Sequence, residues 1–249
     1  MADYLVLTLA AFAAGILNSI AGGGTFLTLP ALVYAGIPPV AANATSTLVV
    51  CPGYLGAALG FRRELRSIDR APLFKTLAIG VAGGLVGAGL LVISSDAVFS
   101  VIVPFLLLLA TFAFALEEKM RAWLSERSFA FTPFGAAGTF AVAIYGGYFN
   151  GGLGIVLLAL FALWGMTDIN VMNGLKNAVS LTLSLVSVAA FAAAGIVAWP
   201  EALLMMVAAT TGGYCGAPLS RALPRRIIRA VVIVTGLTMS LIFFARLWM

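Results

Sequence analysis

Two uncharged stretches of the sequence combine helix-breaking glycines with amide and hydroxyl side chains. The first places an amide and a hydroxyl before consecutive glycines and a threonine, and its residues are Asn18, Ser19, Gly22, Gly23, Gly24 and Thr25. The second surrounds an asparagine with glycines, and its residues are Asn150, Gly151, Gly152 and Gly154. An interrupted helix exposes backbone N–H groups where the next helical segment begins, and those groups suit an anion. Both stretches are therefore candidate anion-binding breaks.

The composition places these breaks in a membrane. The chain has 249 residues, of which 62% are hydrophobic and 9% are charged. About a quarter of the residues of an ordinary soluble domain are charged. No charged residue occurs within 4–61 or within 128–167, although about 20 apolar residues already span a bilayer as a helix. We therefore predict an all-α polytopic membrane protein.

Several classes of chemistry are disfavoured. The sequence has no histidine, so imidazole catalysis and histidine metal ligation are excluded. Cys51 and Cys215 stand alone without a C-x-x-C pattern, and we expect both to be buried apolar residues. The net charge of +5 does not indicate nucleic acid, because the basic residues lie in short loops beside apolar segments. We expect no metal and no cofactor.

The arrangement of charges predicts the topology. The apolar segments lie near 4–35, 42–61, 71–93, 97–116, 134–165, 172–198, 200–220 and 228–248. Basic residues cluster in loops 62–75, 119–127 and 221–229, which the positive-inside rule places in the cytoplasm. Three segments separate the second loop from the third, and three crossings cannot join two cytoplasmic loops. Segment 134–165 would be about 48 Å long as one helix, against a hydrocarbon core of about 30 Å. We therefore expect it to enter and return as a broken hairpin.

The same order of segments occurs twice. Segments 4–35 and 134–165 each contain a glycine break, and each is followed by three further helices. We predict two repeats of inverted topology, 1–116 and 134–249, joined by a cytoplasmic linker, 117–133. Thr25 and Ile155 are expected to begin the second half-helices. Inverted repeats with interrupted helices at matching positions are a common transporter design, and the interruptions mark the binding site.

The helix after each break supplies further candidate ligands. They are Asn43, Thr45 and Ser46 in the first repeat and Asn173, Lys176 and Asn177 in the second. Lys176 is the basic residue set into an apolar segment, and an ionisable residue in that place is a functional candidate. The carboxylates all fall at segment ends or in loops. The predicted site therefore favours an anion over a cation.

Plainer interpretations remain open for each feature. The glycines could serve close helix packing alone. Lys176 could extend to the membrane interface. Asn43, Thr45 and Ser46 could cap their helix or bond back to its carbonyls, and Asn173 could cap its helix likewise. Ser180 lies four residues after Lys176, so the two could form a hydrolytic pair, but we expect no enzyme.

The motifs resemble those of a known family. The string GILNSIAGGGTFLTLPALVYAGIPPVAANATST, residues 15–47, resembles the first-half signature of the sulfite exporter TauE/SafE family of membrane permeases. The string NGGLGIVLLALFALWGMTDINVMNGLKN, residues 150–177, is similar to the second-half signature. The resemblance covers nearly the whole chain. The halves differ, because Pro30, Pro38 and Pro39 have no counterparts in the second half and Lys176 has no basic partner near Thr45.

The resemblance implies a function. Family membership implies a secondary transporter, often an exporter, that moves sulfite, sulfoacetate or other organosulfonates across the bacterial inner membrane by alternating access. The implied partners are a small anion and the lipid bilayer, and a homodimer is a further expectation. The alternatives are transport of a different ligand, such as a carboxylate or a metal cation, and import rather than export.

Overall fold

A computed structural model describes residues 2–20, 23–125, 134–222 and 225–247. The described residues form eleven helices and no strand. The helices are α1 (Ala2–Ile20), α2 (Thr25–Tyr34), α3 (Pro39–Gly60), α4 (Arg62–Leu65), α5 (Arg70–Ile93), α6 (Asp96–Ser125), α7 (Ala136–Tyr148), α8 (Leu153–Leu163), α9 (Ile169–Ala193), α10 (Trp199–Ala222) and α11 (Arg225–Leu247). Outside the described residues lie Gly22, positions 126–133 of the predicted linker and positions 223–224 of the third basic loop.

Each long glycine-containing segment is divided into two helices, as the sequence predicts. The second helix of each pair is short, with 10 residues in α2 and 11 in α8, or about 15 Å, half of a hydrocarbon core. A Cβ at Gly146 would lie 2.7 Å from Leu153, and a Cβ at Gly138 would lie 2.9 Å from Leu160. The end of α7 therefore lies beside the start of α8, and the start of α7 lies beside the end of α8. The two helices run antiparallel and form a hairpin.

The two helices that follow the breaks, α3 and α9, cross each other in opposite directions. Thr45, near the start of α3, accepts a hydrogen bond of 3.0 Å from the amide of Ala198, which follows α9. At the other end of the pair, Gly174 packs against Phe61 and Leu65, which follow α3. The start of each helix therefore lies beside the end of the other.

Small residues bring helices of the two halves into backbone contact. A Cβ at Gly87 of α5 would overlap the Ile144 carbonyl oxygen of α7, and a Cβ at Gly15 of α1 would overlap the Ala209 carbonyl oxygen of α10. Gly212 on α10 likewise faces the Phe12 carbonyl. The α1–α10 and α5–α7 interfaces are among the most extensive in the molecule. Close approach of this kind suits helix packing in lipid, where small residues allow van der Waals contact.

The surface and core fit a lipid environment. Large apolar side chains are exposed on the outer faces of the helices, including Leu5, Val207 and Leu241. Such a surface is unusual for a protein surrounded by water. By length and composition, Arg70–Ile93 and Ile169–Ala193 are each long and apolar enough to cross a membrane. The described fold is thus helical, with apolar side chains both inside and outside.

Two sequence expectations differ from the structure. Helix α6 continues to Ser125, beyond the predicted segment end at 116, because a helix can extend past its apolar stretch. Cys51 is buried as expected, but Cys215 is exposed. The expectation for Cys215 was wrong because a small apolar residue can face lipid as readily as a protein core.

Candidate functional site

The first break is closed by a side chain of its own segment. The Asn18 Oδ1 atom accepts hydrogen bonds from the backbone amides of Gly23, at 3.0 Å, and Gly24, at 2.7 Å. Gly23 has a φ of 133°, a conformation that favours glycine. Helix α2 then begins at the buried Thr25, as predicted. Ser19 lies in the last turn of α1, and its side chain is outside the described set.

The second break is built on a left-handed glycine. Gly152 has a φ of 71° and precedes α8, which begins at Leu153. The predicted start at Ile155 was wrong, because Gly154 remains inside the helix and only Gly152 has a positive φ. The Gly151 carbonyl accepts a short hydrogen bond from the Tyr145 hydroxyl on α7, which fixes the turn.

Asn150 connects the second break to both crossing helices. Its Nδ2 group donates to the Ser184 hydroxyl on α9 at 3.0 Å. Its Oδ1 atom accepts from the Tyr54 hydroxyl on α3 at 3.4 Å. Asn150 is 2% exposed, so these bonds satisfy an amide that has no access to bulk water.

A buried side chain links the two breaks. A Cβ at Gly152 would lie 3.7 Å from the Phe26 ring on the first turn of α2, and 2.5 Å from the Ala110 Cβ on α6. Phe26 is fully buried. The Phe26 ring of α2 therefore reaches the start of α8, although 127 positions separate Gly152 from Thr25 in the chain.

Helix α3 contributes polar groups to both halves. The Ser46 and Thr28 hydroxyls are hydrogen-bonded at 2.6 Å, which joins α3 to α2. The Asn43 Nδ2 group donates to the Tyr148 carbonyl at the end of α7, at 2.9 Å. The Thr45 hydroxyl donates to the Ala41 carbonyl and accepts from the Ala198 amide. It therefore binds the loop that connects α9 to α10. The back-bonding alternative thus holds for Thr45, whereas Pro38 is the N-cap residue of α3 and none of Asn43, Thr45 and Ser46 caps the helix.

Helix α9 places Lys176 beside the second break. A Cβ at Gly154 would lie 3.2 Å from the Lys176 Cδ atom, so the lysine stem packs on the first turn of α8. The Lys176 ammonium donates to the Asn173 Oδ1 atom at 3.1 Å. The Asn177 Nδ2 group donates to the Asn173 carbonyl at 2.9 Å. Lys176 lies about two turns from the start of α9.

The alternative that Asn173 caps α9 was wrong, because the N-cap residue is Asp168. Asp168 precedes the helix and accepts from the amides of Asn170, at 2.8 Å, and Val171, at 3.3 Å. A carboxylate is well suited to this position, because it also interacts favourably with the helix dipole. Asn173 lies inside α9, where its Oδ1 atom accepts a hydrogen bond from Lys176.

The structure adds residues that sequence reasoning missed. Tyr54, Tyr145 and Ser184 all bond to the residues of the second break. Ser184 follows Ser180 by four residues, so helical spacing was a usable signal. Tyr54 offered no comparable signal, because a tyrosine in an apolar segment is equally typical of core packing.

The groups around the breaks are neutral donors and acceptors together with one ammonium. Within the described part of the chain, no three histidine, cysteine or carboxylate side chains are grouped to hold a metal ion. The Ser180 hydroxyl has no hydrogen-bond partner among the described residues, so it is not hydrogen-bonded to Lys176. Amide donors and an ammonium are groups that bind a compact oxyanion.

The helical fold, its apolar exterior and its buried helix breaks define a polytopic helical membrane protein. The family model described as sulfite exporter TauE/SafE matches residues 7–243, and the chain belongs to this family of membrane transporters.

Curated relatives support this assignment. The chain is 28% identical over 232 residues to a probable membrane transporter protein of Haemophilus influenzae, covering 92% of this chain and 89% of the relative. It is 30% identical over 243 residues to the probable membrane transporter protein YfcA of Escherichia coli K12, covering 94% and 87%. It is 26% identical to the probable membrane transporter protein ORF9 of a Sinorhizobium species, covering 98% and 95%. No solved structure matches the chain.

Proposed function

We propose that this protein is a secondary transporter of sulfur-containing oxyanions, such as sulfite, sulfoacetate or other organosulfonates, in the bacterial inner membrane. The observation that carries the proposal is a contact between the two breaks through a buried side chain. The Phe26 ring, from the first turn of α2, lies against Gly152, which precedes α8. Helix N-termini in a buried region favour negative charge.

The proposed substrate site is built around this junction. Lys176 supplies a positive charge beside α8, and amide and hydroxyl groups from α3 and α9 supply further hydrogen bonds. A sulfonate or sulfite head presents several oxygens in a compact cluster, which a set of converging donors can hold. The candidate ligands are Asn18, Ser19, Gly22, Gly23, Gly24, Thr25, Asn43, Thr45, Ser46, Asn150, Gly151, Gly152, Gly154, Asn173, Lys176 and Asn177.

We also propose inverted repeats and alternating access. The opposite directions of α3 and α9 support the inversion, as does the matched use of backbone contact at α1–α10 and α5–α7. The binding site would open first to one side of the membrane and then to the other, with the basic loops on the cytoplasmic side. Export is the favoured direction on the family's description. Import, or a carboxylate substrate, is the alternative.

Flux from proteoliposomes tests the substrate class. Purified protein is reconstituted, and efflux of sulfite, sulfoacetate, sulfate and acetate is measured with and without a pH gradient. We expect a sulfur oxyanion other than sulfate to leave faster than acetate. Acetate moving alone, or no anion moving, would contradict the proposal, and dependence on the gradient would identify proton coupling.

Lys176→Gln tests the role of the positive charge. We expect it to weaken substrate binding and raise the KM for flux, whereas Lys176→Arg retains the charge and part of the activity. Lys75→Gln is the matched control, because Lys75 is exposed at the start of α5, away from the breaks. Equal KM values for Lys176→Gln and Lys75→Gln would remove Lys176 from the site.

A further inference from the structure

The facing surfaces of α3 and α9 form a continuous line of polar side chains. On α9 the spacing of three and four residues places these side chains on one face of the helix. We call the two rows together the polar seam, and its members are Asn43, Thr47, Cys51 and Tyr54 on α3 and Asn177, Ser180, Ser184 and Ser187 on α9. The α9 row covers about 15 Å, or half of a hydrocarbon core.

The two rows meet at Asn150. Asn150 donates a hydrogen bond to the Ser184 hydroxyl on α9 and accepts one from the Tyr54 hydroxyl on α3. The seam therefore runs past the second break, at the interface between the two halves of the chain.

Unpartnered polar atoms concentrate in the seam. Among the described buried side chains, Asn43 Oδ1, Ser180 Oγ and Ser187 Oγ have no hydrogen-bond partner, and the remaining such atom, Glu64 Oε2, belongs to the short helix α4. Asn43, Ser180 and Ser187 are each at most 1% exposed. Unsatisfied polar groups are costly in a membrane interior, so the presence of three of them on α3 and α9 calls for an explanation.

Other buried hydroxyls, Thr47 of the seam included, donate to a carbonyl of their own helix. Buried threonines such as Thr76 and Thr111 donate to the carbonyl one turn earlier, and Ser240 does the same. This back-bonding is the usual solution for a hydroxyl in an apolar helix. The Ser180 and Ser187 hydroxyls lack it, so they are available to another partner.

We infer that the substrate path runs between α3 and α9 along the polar seam, where water and the anion satisfy Asn43, Ser180 and Ser187 when the seam opens. The inference rests on the proposed transport function and extends it, because it assigns the path to the interface between the halves. Tyr54, Ser184 and Cys51 become path residues, which neither the sequence motifs nor the family match assigns.

The native cysteines give a test that does not depend on measuring flux. Cys215→Ser leaves only Cys51, in the seam, and Cys51→Ser leaves only Cys215, which is exposed on α10. Each protein is treated in proteoliposomes with a membrane-impermeant methanethiosulfonate that carries a sulfonate. The thiolate forms a disulfide with the reagent and methanesulfinate leaves, a reaction that requires solvent access.

We expect Cys51 to react in the folded protein and sulfoacetate to slow the reaction. Sulfoacetate is chosen because sulfite would itself attack the reagent. Cys215 lies on the exposed outer face and is the negative control, because a charged reagent does not enter the bilayer. Cys51 that reacts only after unfolding, as we expect for Cys215, would overturn the seam as a path. Reactive Cys51 in a protein that moves no sulfur oxyanion would overturn the substrate assignment alone.

Obstruction of the seam provides a second test. Ser187→Leu places bulk in the seam, and Ala189→Leu places the same side chain on the exposed face of the same helix. We expect loss of most sulfoacetate flux for Ser187→Leu and wild-type flux for Ala189→Leu, with similar melting temperatures for the two proteins. Wild-type flux through a folded Ser187→Leu protein would contradict the inference.

Discussion

Substitutions of Asn18 can separate an effect on stability from an effect on transport. Its Oδ1 atom holds the Gly23 and Gly24 amides, so it acts as a cap for α2 from the preceding helix. Loss of a capping side chain costs about 1 kcal/mol, and we expect Asn18→Ala to lower the melting temperature in detergent. Asn18→Asp keeps the acceptor and places a negative charge at a helix N-terminus, which is favourable.

The flux of Asn18→Asp then reports on the site. A carboxylate at this position would repel an incoming anion, so we expect a stable protein with strongly reduced sulfoacetate efflux. Wild-type efflux by Asn18→Asp would show that the anion does not approach the first break. Melting curves of both variants, recorded beside the flux, provide the control for folding.

Gly195, which follows α9, is a matched control for Gly152 of the second break. Both have a φ of 71°, but a Cβ at Gly195 meets nothing within 4 Å, whereas one at Gly152 would lie 2.5 Å from the Ala110 Cβ. Alanine costs roughly 1–2 kcal/mol for the left-handed backbone alone. We expect Gly152→Ala to lower the melting temperature more than Gly195→Ala, and equal shifts would mean that Ala110 moves away freely.

At the scale of elements, we expect two glycines of α5, two residues apart, to respond in opposite ways to substitution by alanine. Gly87 lies against the α7 backbone, whereas Gly89 has open space at its Cβ position. Glycine in a helix interior is about 1 kcal/mol less favourable than alanine. We expect Gly89→Ala to raise the melting temperature slightly and Gly87→Ala to lower it by forcing α5 and α7 apart. A stabilising Gly87→Ala would contradict the close packing of these helices.

The existence of the helix breaks was predictable from sequence, but their exact boundaries were not. Consecutive glycines between apolar runs indicated a break before Thr25, and α2 begins there. Around Asn150 the same reasoning chose Ile155 over Leu153, because glycine composition does not say which glycine leaves the helix. That choice depends on packing, since Gly152 must fit against Ala110 and Gly154 against the Lys176 stem.

Contacts between distant residues were the least predictable part of the site. The polar residues Asn43 and Asn150 were identified by type and by position near a break. Their partners Tyr148, Tyr54 and Ser184 depend on how α3, α7 and α9 pack together. No local pattern encodes a crossing point, so the candidate ligands could be named but not their network.

For the whole molecule, the topology can be tested with two equivalent positions. Ala71 and Ala97 are exposed second residues of α5 and α6. In a protein with both native cysteines replaced by serine, we expect an impermeant maleimide to label Ala97→Cys in intact bacterial cells. Ala71→Cys should be labelled only after the membrane is opened, because it lies beside the basic loop 62–75. The reverse pattern would place the first basic loop outside.

The contacts of α1 with α10 and of α5 with α7 have a consequence for how the chain holds together. In both pairs one helix comes from residues 1–116 and the other from residues 134–249. Each half therefore packs one of its helices closely against a helix of the other half, at two separate places. Neither half alone can cover the backbone surface that its partner occupies. Two fragments divided within the linker would have to be synthesised together to survive, and the units that move in the membrane would be hybrids of the two halves.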